Sequence, residues 1–167
     1  VGKLVDHGRA TVFGHGFSCH VCVLRPKSRG SVRLASRDPL AAPLIDPAFL
    51  QEGDDVRRLV KGFRQMREIL SQPALARHGG REKSADVRSD AEIEAFIRQH
   101  ADTIYHPVGT CRMGKGPMDV VDDRLRVRGI ERLRVVDASV MPSVPGGNTN
   151  APVVMVAEKA ASMIRRA

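Results

Sequence analysis

Leu133-Arg134-Val135-Val136-Asp137-Ala138-Ser139-Val140-Met141-Pro142 leads into a loop holding Pro145, Gly146 and Gly147, and then into Asn148-Thr149-Asn150-Ala151-Pro152. The order is a short strand, an acidic residue, a loop of turn formers and a helix start. A helix that begins after a strand offers free N–H groups and the positive end of its dipole to an anionic or electron-rich ligand. Glycines in the connecting loop let a ligand come close to the backbone. On such a scaffold Asp137 can hydrogen-bond ribityl, ribose or pyrophosphate-linked groups. Asn148 or Asn150 is expected to cap the helix, which runs to about Arg165. Ala151, Val153, Val154, Met155, Val156 and Ala157 make its first half apolar nearly all round. That is the pattern of a helix buried on every side, and this chain has few elements left to bury it.

A second stretch has a different texture. Tyr105-His106-Pro107-Val108-Gly109-Thr110-Cys111-Arg112-Met113-Gly114 is rich in turn formers and too short for a core of its own. His106 is a candidate proton acceptor, because an unperturbed histidine titrates near pH ~6.5. A histidine before proline is also an ordinary loop residue, and an asparagine before a helix is often only a cap. Leu125-Arg126-Val127 and Leu133-Arg134-Val135-Val136 read as short strands around a turn at Gly129.

Upstream, residues 9–24 read as a strand bent or bulged at Gly14 and Gly16. Ser31 to Ser36 alternates polar and apolar, as in a half-buried strand. A turn at Pro26–Gly30 would join the two as an antiparallel hairpin. Residues 37–53 carry Pro39, Pro43 and Pro47 and read as an ordered loop anchored by Leu44, Ile45 and Phe49. A helix is predicted over 54–71, with Val56, Leu59, Val60, Phe63, Met66, Ile69 and Leu70 on one face. Asp54 and Asp55 suit its start and Pro73 its end. A second helix is predicted from Ala91 to His100, capped by Ser89 or Asp90, with Ile93, Phe96 and Ile97 inward.

The chain has 167 residues, 42% hydrophobic and 4% aromatic, with no Trp and one Tyr. That length suits one domain, or one domain plus part of another, and the apolar content excludes a disordered chain. No apolar run nears the ~18 residues of a membrane-spanning helix. There is no initiator Met and no signal-peptide pattern at Val1-Gly2-Lys3. Lys and Arg total 27 against 19 acids, a net charge of +8. The basic residues are scattered among acids and lack interleaved aromatics, which argues against nucleic acid as a partner. The three cysteines are an odd number. Cys19 and Cys22 form a C-x-x-C, but positions three apart on a strand face opposite sides. No second cysteine or histidine pair completes a zinc site, so no metal is expected. Buried free thiols in a reducing cytoplasm are the expected state.

Taken together, the 105–114 and 133–152 stretches resemble the C-terminal part of the glucose–methanol–choline (GMC) family of flavoprotein oxidoreductases. The ending Val154-Met155-Val156-Ala157-Glu158-Lys159-Ala160-Ala161 is similar as well. So are Ser28-Arg29-Gly30-Ser31-Val32-Arg33-Leu34 and the helix ending Met66-Arg67-Glu68-Ile69-Leu70 before Pro73-Ala74-Leu75. The resemblance implies oxidation of an alcohol, with FAD as cofactor and hydride passing to its N5. It implies His106 as general base and Asn150 as its partner on the substrate oxygen. Asp137 and Ala138 match the stretch that touches the ribityl and phosphate region of FAD, and Asn148 and Thr149 the loop near the flavin ring. Asn at 150, where other members carry His, leans toward the choline and aliphatic alcohol dehydrogenases.

One departure is large. The family binds the ADP half of FAD through a G-x-G-x-x-G turn, and no such motif occurs here. Gly14-His15-Gly16 is only a G-x-G within a strand pattern. The expected fold is therefore α+β: an antiparallel sheet packed by helices over 1–104, the C-terminal part of a substrate-binding domain. Residues 105–167 would be a strand–loop–helix piece of an FAD-binding domain that lacks its Rossmann half. The expected partners are an alcohol, an unspecified electron acceptor and the missing N-terminal FAD-binding portion. The chain by itself is expected to bind no FAD and to be inactive. The expected location is the cytoplasm, with room for peripheral association at the inner membrane. The alternative is a stand-alone module that completes a partner's flavin site without catalysis of its own.

Overall fold

The computed structural model describes residues 2–5 and 10–166. The strand expected from residue 9 thus begins outside the described residues. The chain divides into two compact units. One takes the chain up to Val23 together with Leu50–Ile104. The other takes Leu24–Phe49 together with the chain from Tyr105 onward. The architecture mixes helices with small antiparallel sheets.

In the first unit, β1 (Gly2–Val5) pairs antiparallel with β2 (Ala10–Phe13), from Gly2↔Phe13 to Val5↔Ala10. Residues 14–24 form no regular strand, so the long bent strand expected there stops at Phe13. Cys19 and Cys22 lie in that irregular stretch and are exposed, which corrects the expectation of buried thiols.

Helix α1 spans Gly53–Ser71 and α3 spans Asp90–His100, close to prediction. Asp54 and Asp55 sit in the first turn of α1, where negative charge complements the helix dipole. Pro73 restricts Gln72 to extended backbone and ends the helix there. The proline then opens a single short turn, α2 (Pro73–Ala76). Ser89 caps α3 through a reciprocal box: Ser89 Oγ accepts from the Glu92 N–H at 3.2 Å, and Glu92 Oε2 accepts from the Ser89 N–H at 2.8 Å.

The helix expected to pack on a sheet instead buries its stripe against α3. Val56, Val60 and Phe63 close on Ile93 and Ile97, with Leu50, Leu59, Met66, Val87 and Phe96 around them. Arg67 lies over the Phe63 ring at 4.7 Å and pairs with Glu82 at 2.7 Å. It also donates to the carbonyls of Ser84 and Val87. One side chain thereby fastens the 82–87 loop to α1.

In the second unit, β3 (Ser31–Arg33) does not form the expected hairpin with the preceding segment. It pairs antiparallel with β4 (Leu44–Asp46), which the prolines had marked as loop. All six residues are exposed, so pairing rather than burial makes these strands. The segments around 113–136 meet only as bridges: Met113↔Val121, Val121↔Val127 and Arg126↔Arg134. Their side chains supply a second core of Val121, Leu125 and Val140, closed by Ala160 of α4 (Asn150–Arg165).

Alpha4 departs from both expectations made for it. Neither Asn148 nor Asn150 caps it. Thr149 is the cap residue and makes no side-chain cap bond, while Asn150 is already the first helical residue. Nor is the helix enclosed: Ala160 is its one buried residue, and Val154, Met155 and Ile164 are more than half exposed. No described helix is long and apolar enough to cross a membrane.

Ile93 is fully enclosed where α1 meets α3. Ile93→Ala should cost about 2–5 kcal/mol through lost burial and the cavity left behind. Ser89→Ala should cost about 1 kcal/mol. Urea unfolding followed by circular dichroism measures both, and equal losses would contradict this ranking.

Candidate functional site

The sequence-predicted residues all fall in the second unit. His106 lies in the loop that opens it. Tyr105 before it has φ +63°, a conformation that costs energy for any residue but glycine. Gly109 has φ +92° and can adopt it freely. The His106 ring is half-buried, and its Nδ1 is shielded from solvent with no hydrogen-bond partner among the described residues. A buried polar atom left unpaired costs free energy, which makes this nitrogen the clearest candidate in the loop for a ligand contact.

The loop after His106 is stitched to the turn after Asp137. The Cys111 N–H donates to the Ser139 carbonyl at 3.0 Å, and the Met113 N–H donates to the Val140 carbonyl at 2.8 Å. Asp137 caps a single 3-10 turn, Ala138–Val140. Its Oδ1 accepts from the Ser139 N–H at 2.8 Å and also from the Ser139 hydroxyl. Asp137 is exposed, and Oδ2 has no partner among the described residues. Val140, fully buried, anchors the turn in the second core.

Asn148 and Asn150 are exposed and Thr149 is half-buried. No hydrogen bond among the described residues ties their side chains to His106 or Asp137. With no capping side chain, the N–H groups of Asn150 and Ala151 are left to a ligand or to water. Pro152 contributes none. Two candidate elements are thus joined by backbone bonds, and the third stands at a helix start.

A residue the sequence reading passed over holds the far end of the His106 loop. Asp119 receives the Arg112 Nε–H at 2.5 Å and the Gly116 N–H at 2.6 Å. The Arg112 hydrogen bond, followed by the Gly116 N–H, holds the Asp119 carboxyl below its ordinary value of 3.8. Arg112 and Asp119 are seven positions apart in irregular backbone, so no periodicity signals the pair.

A family model for GMC oxidoreductases matches residues 26–157, most of the chain. The chain belongs to the GMC oxidoreductase family. GMC oxidoreductases are FAD-dependent, and two comparisons with curated proteins place this chain among alcohol- and choline-oxidising relatives. It is 51% identical over 165 residues to an alcohol dehydrogenase [acceptor] of Pseudomonas putida, covering 98% of this chain and 30% of that protein. It is 50% identical over 161 residues to an oxygen-dependent choline dehydrogenase of Chromohalobacter salexigens, covering 95% and 29%. Among solved structures, pyridoxine 4-oxidase from Mesorbium loti superposes with TM-score 0.80 at 39% identity, over 86% of this chain and 28% of that one. An FAD-dependent oxidoreductase from Chaetomium thermophilum gives 0.80 at 32%, over 86% and 25%. This GMC chain spans about 30% of the length of the curated relatives it matches.

The lowered Asp119 value sets a pH dependence. A carboxyl depressed in the folded state stabilises it above the ordinary value, and the gain is lost as pH falls through the lowered one. Arg112→Gln should therefore be less stable than the unaltered protein at neutral pH. The difference should shrink below pH 3.8 and vanish at lower pH. Unfolding curves across an acid series check this, and a gap that widens with acid would contradict it.

Proposed function

We propose that this chain is the C-terminal part of an FAD-dependent alcohol dehydrogenase that oxidises a primary alcohol to an aldehyde. The reading is carried by His106, whose shielded Nδ1 has no partner among the described residues. Residues 1–104 are then assigned to the substrate domain and 105–167 to the FAD domain. Residues 24–49 fall in the same compact unit as the C-terminal stretch.

The residues present fit a flavin cofactor. The N–H groups of Asn150 and Ala151, uncapped by any side chain, suit an electron-rich ligand edge. Asp137 and Ala138 would hold the ribityl and phosphate region, and Asn148 and Thr149 would border the ring. FAD, when bound, supplies the hydride acceptor at N5.

His106 takes the hydroxyl proton of the alcohol. Removing that proton as the hydride leaves avoids building positive charge on the carbonyl carbon, and a positioned base of this kind contributes about 10²–10⁴-fold. Asn150 donates from its side-chain amide to the same oxygen, holding the alcohol in line and steadying the charge that develops there. The natural acceptor of the electrons is a second reactant whose identity the relatives' names leave divided between oxygen and another acceptor.

In the full-length enzyme, His106→Ala should slow alcohol-dependent bleaching of the flavin by about 10²–10⁴-fold with FAD retained. Asn150→Ala should slow it by about tenfold, the loss of one hydrogen bond. Anaerobic stopped-flow absorbance reads both. Unchanged bleaching in His106→Ala would remove the base assignment. The 167-residue chain by itself should purify without yellow colour, and stoichiometric FAD in its spectrum would overturn that expectation.

A further inference from the structure

Arg25 combines two features found together at no other described residue. Its backbone lies in the left-handed region, φ +55°, which a residue other than glycine keeps only when its surroundings over-determine it. Its guanidinium also reaches the loop that precedes α4. A Cβ built on Gly146 would lie 2.8 Å from Arg25 Nη2 and 3.1 Å from Cζ. The guanidinium therefore fills the space that any side chain at 146 would need. A Cβ on Gly147 would meet nothing within 4 Å. Of the two adjacent glycines, only the first has a neighbour where a Cβ would stand, and that neighbour is the end of the Arg25 side chain. Both residues belong to the same compact unit.

The loop has little else to hold it. Among the described residues, no backbone hydrogen bond ties 142–148 to another element. The loop ends at Thr149, where α4 begins, and Asn150 is four positions beyond Gly146. A shift at Gly146 is passed along a short tether to the residues read above as lining the substrate and the ring.

We propose that Arg25 is a positioning residue for the alcohol oxidation. Its planar guanidinium braces the loop at Gly146 and thereby sets where Asn148, Thr149 and Asn150 stand. Arginine suits this task because its rigid plane packs against a peptide, whereas lysine offers a point charge on a flexible stem. Misplacement of a catalytic group by about 1 Å can cost about 10²-fold in rate, so a brace of this kind is felt in the chemistry. The proposal rests on the reading of Asn150 as partner of the substrate oxygen.

The test is a double-mutant cycle in the full-length FAD enzyme: Arg25→Ala, Gly146→Ala, and both together, with Arg25→Lys beside them. Gly146→Ala displaces only the end of a flexible side chain, so it removes the brace while leaving Arg25 in the chain. Two readouts are taken: flavin bleaching by a straight-chain primary alcohol series, and limited cleavage within 143–149 by a broad-specificity protease. Each single variant should slow bleaching at saturating alcohol by about tenfold, with the half-saturating alcohol concentration changed less than about twofold. Each should speed cleavage in the loop by about tenfold. The double variant should fall no further than either single one. Arg25→Lys should behave like Arg25→Ala. Additive losses, full rescue by lysine, or unchanged loop cleavage would each overturn the brace. A failure of the underlying function shows separately, as wild-type flavin that no primary alcohol bleaches. The cleavage cycle then decides the brace by itself.

Discussion

Two backbone hydrogen bonds, Cys111 N–H to Ser139 O and Met113 N–H to Val140 O, hold the C-terminal unit together as a site. They join the loop that starts at His106 to the turn that starts at Asp137, across more than twenty residues of chain. Neither stretch has secondary structure that would place it unaided. The turn is fixed because Val140 is driven into the core with Val121 and Leu125. The loop is fixed because the turn accepts its amides. Arg112 and Asp119 then hold the far end of the loop by a charged pair. Burial of one valine is thus passed through backbone bonds to the loop that carries the half-buried His106.

The two units use opposite means of stability. The first is a helix pair with a continuous apolar stripe and a reciprocal N-cap, in which local signals and packing agree. The second is mostly irregular backbone, and its order comes from carboxylates that collect amides. Asp122 takes the N–H groups of Arg124 and Arg126 at 2.9 Å each, and Asp137 and Asp119 act alike at their own turns. Such a unit can present loops at defined places without paying for long elements. It suits a surface that meets a cofactor. Alpha4 carries that logic furthest. Its apolar residues at 154, 155 and 164 remain more than half exposed.

Legibility followed the range of the interactions. Alpha1 and α3 could be read from the sequence because their determinants repeat within a few residues: the apolar stripe from Val56 to Met66, the Ser89–Glu92 box and the stop at Pro73. The family could be read because its motifs are contiguous around His106, Asp137 and Asn150. The pairing of β3 with β4 could not, because short exposed strands carry no burial pattern and the prolines of 37–53 read as loop. The cap of α4 was misread for a related reason. Asn148 and Asn150 both have the chemistry of a cap, and the backbone at Thr149 decides which residue holds that place.

The sequence by itself determined the helices, the family and the identity of the candidate site residues, since each is written in local spacing or in a contiguous motif. Only the tertiary structure decided that segment 24–49 groups with the C-terminal stretch, that His106 Nδ1 is shielded and unpartnered, and that Arg25 lies against Gly146. Each of these depends on contacts between residues far apart in the chain. Such contacts are set by which surfaces can be buried together, and no local pattern of residues encodes that choice.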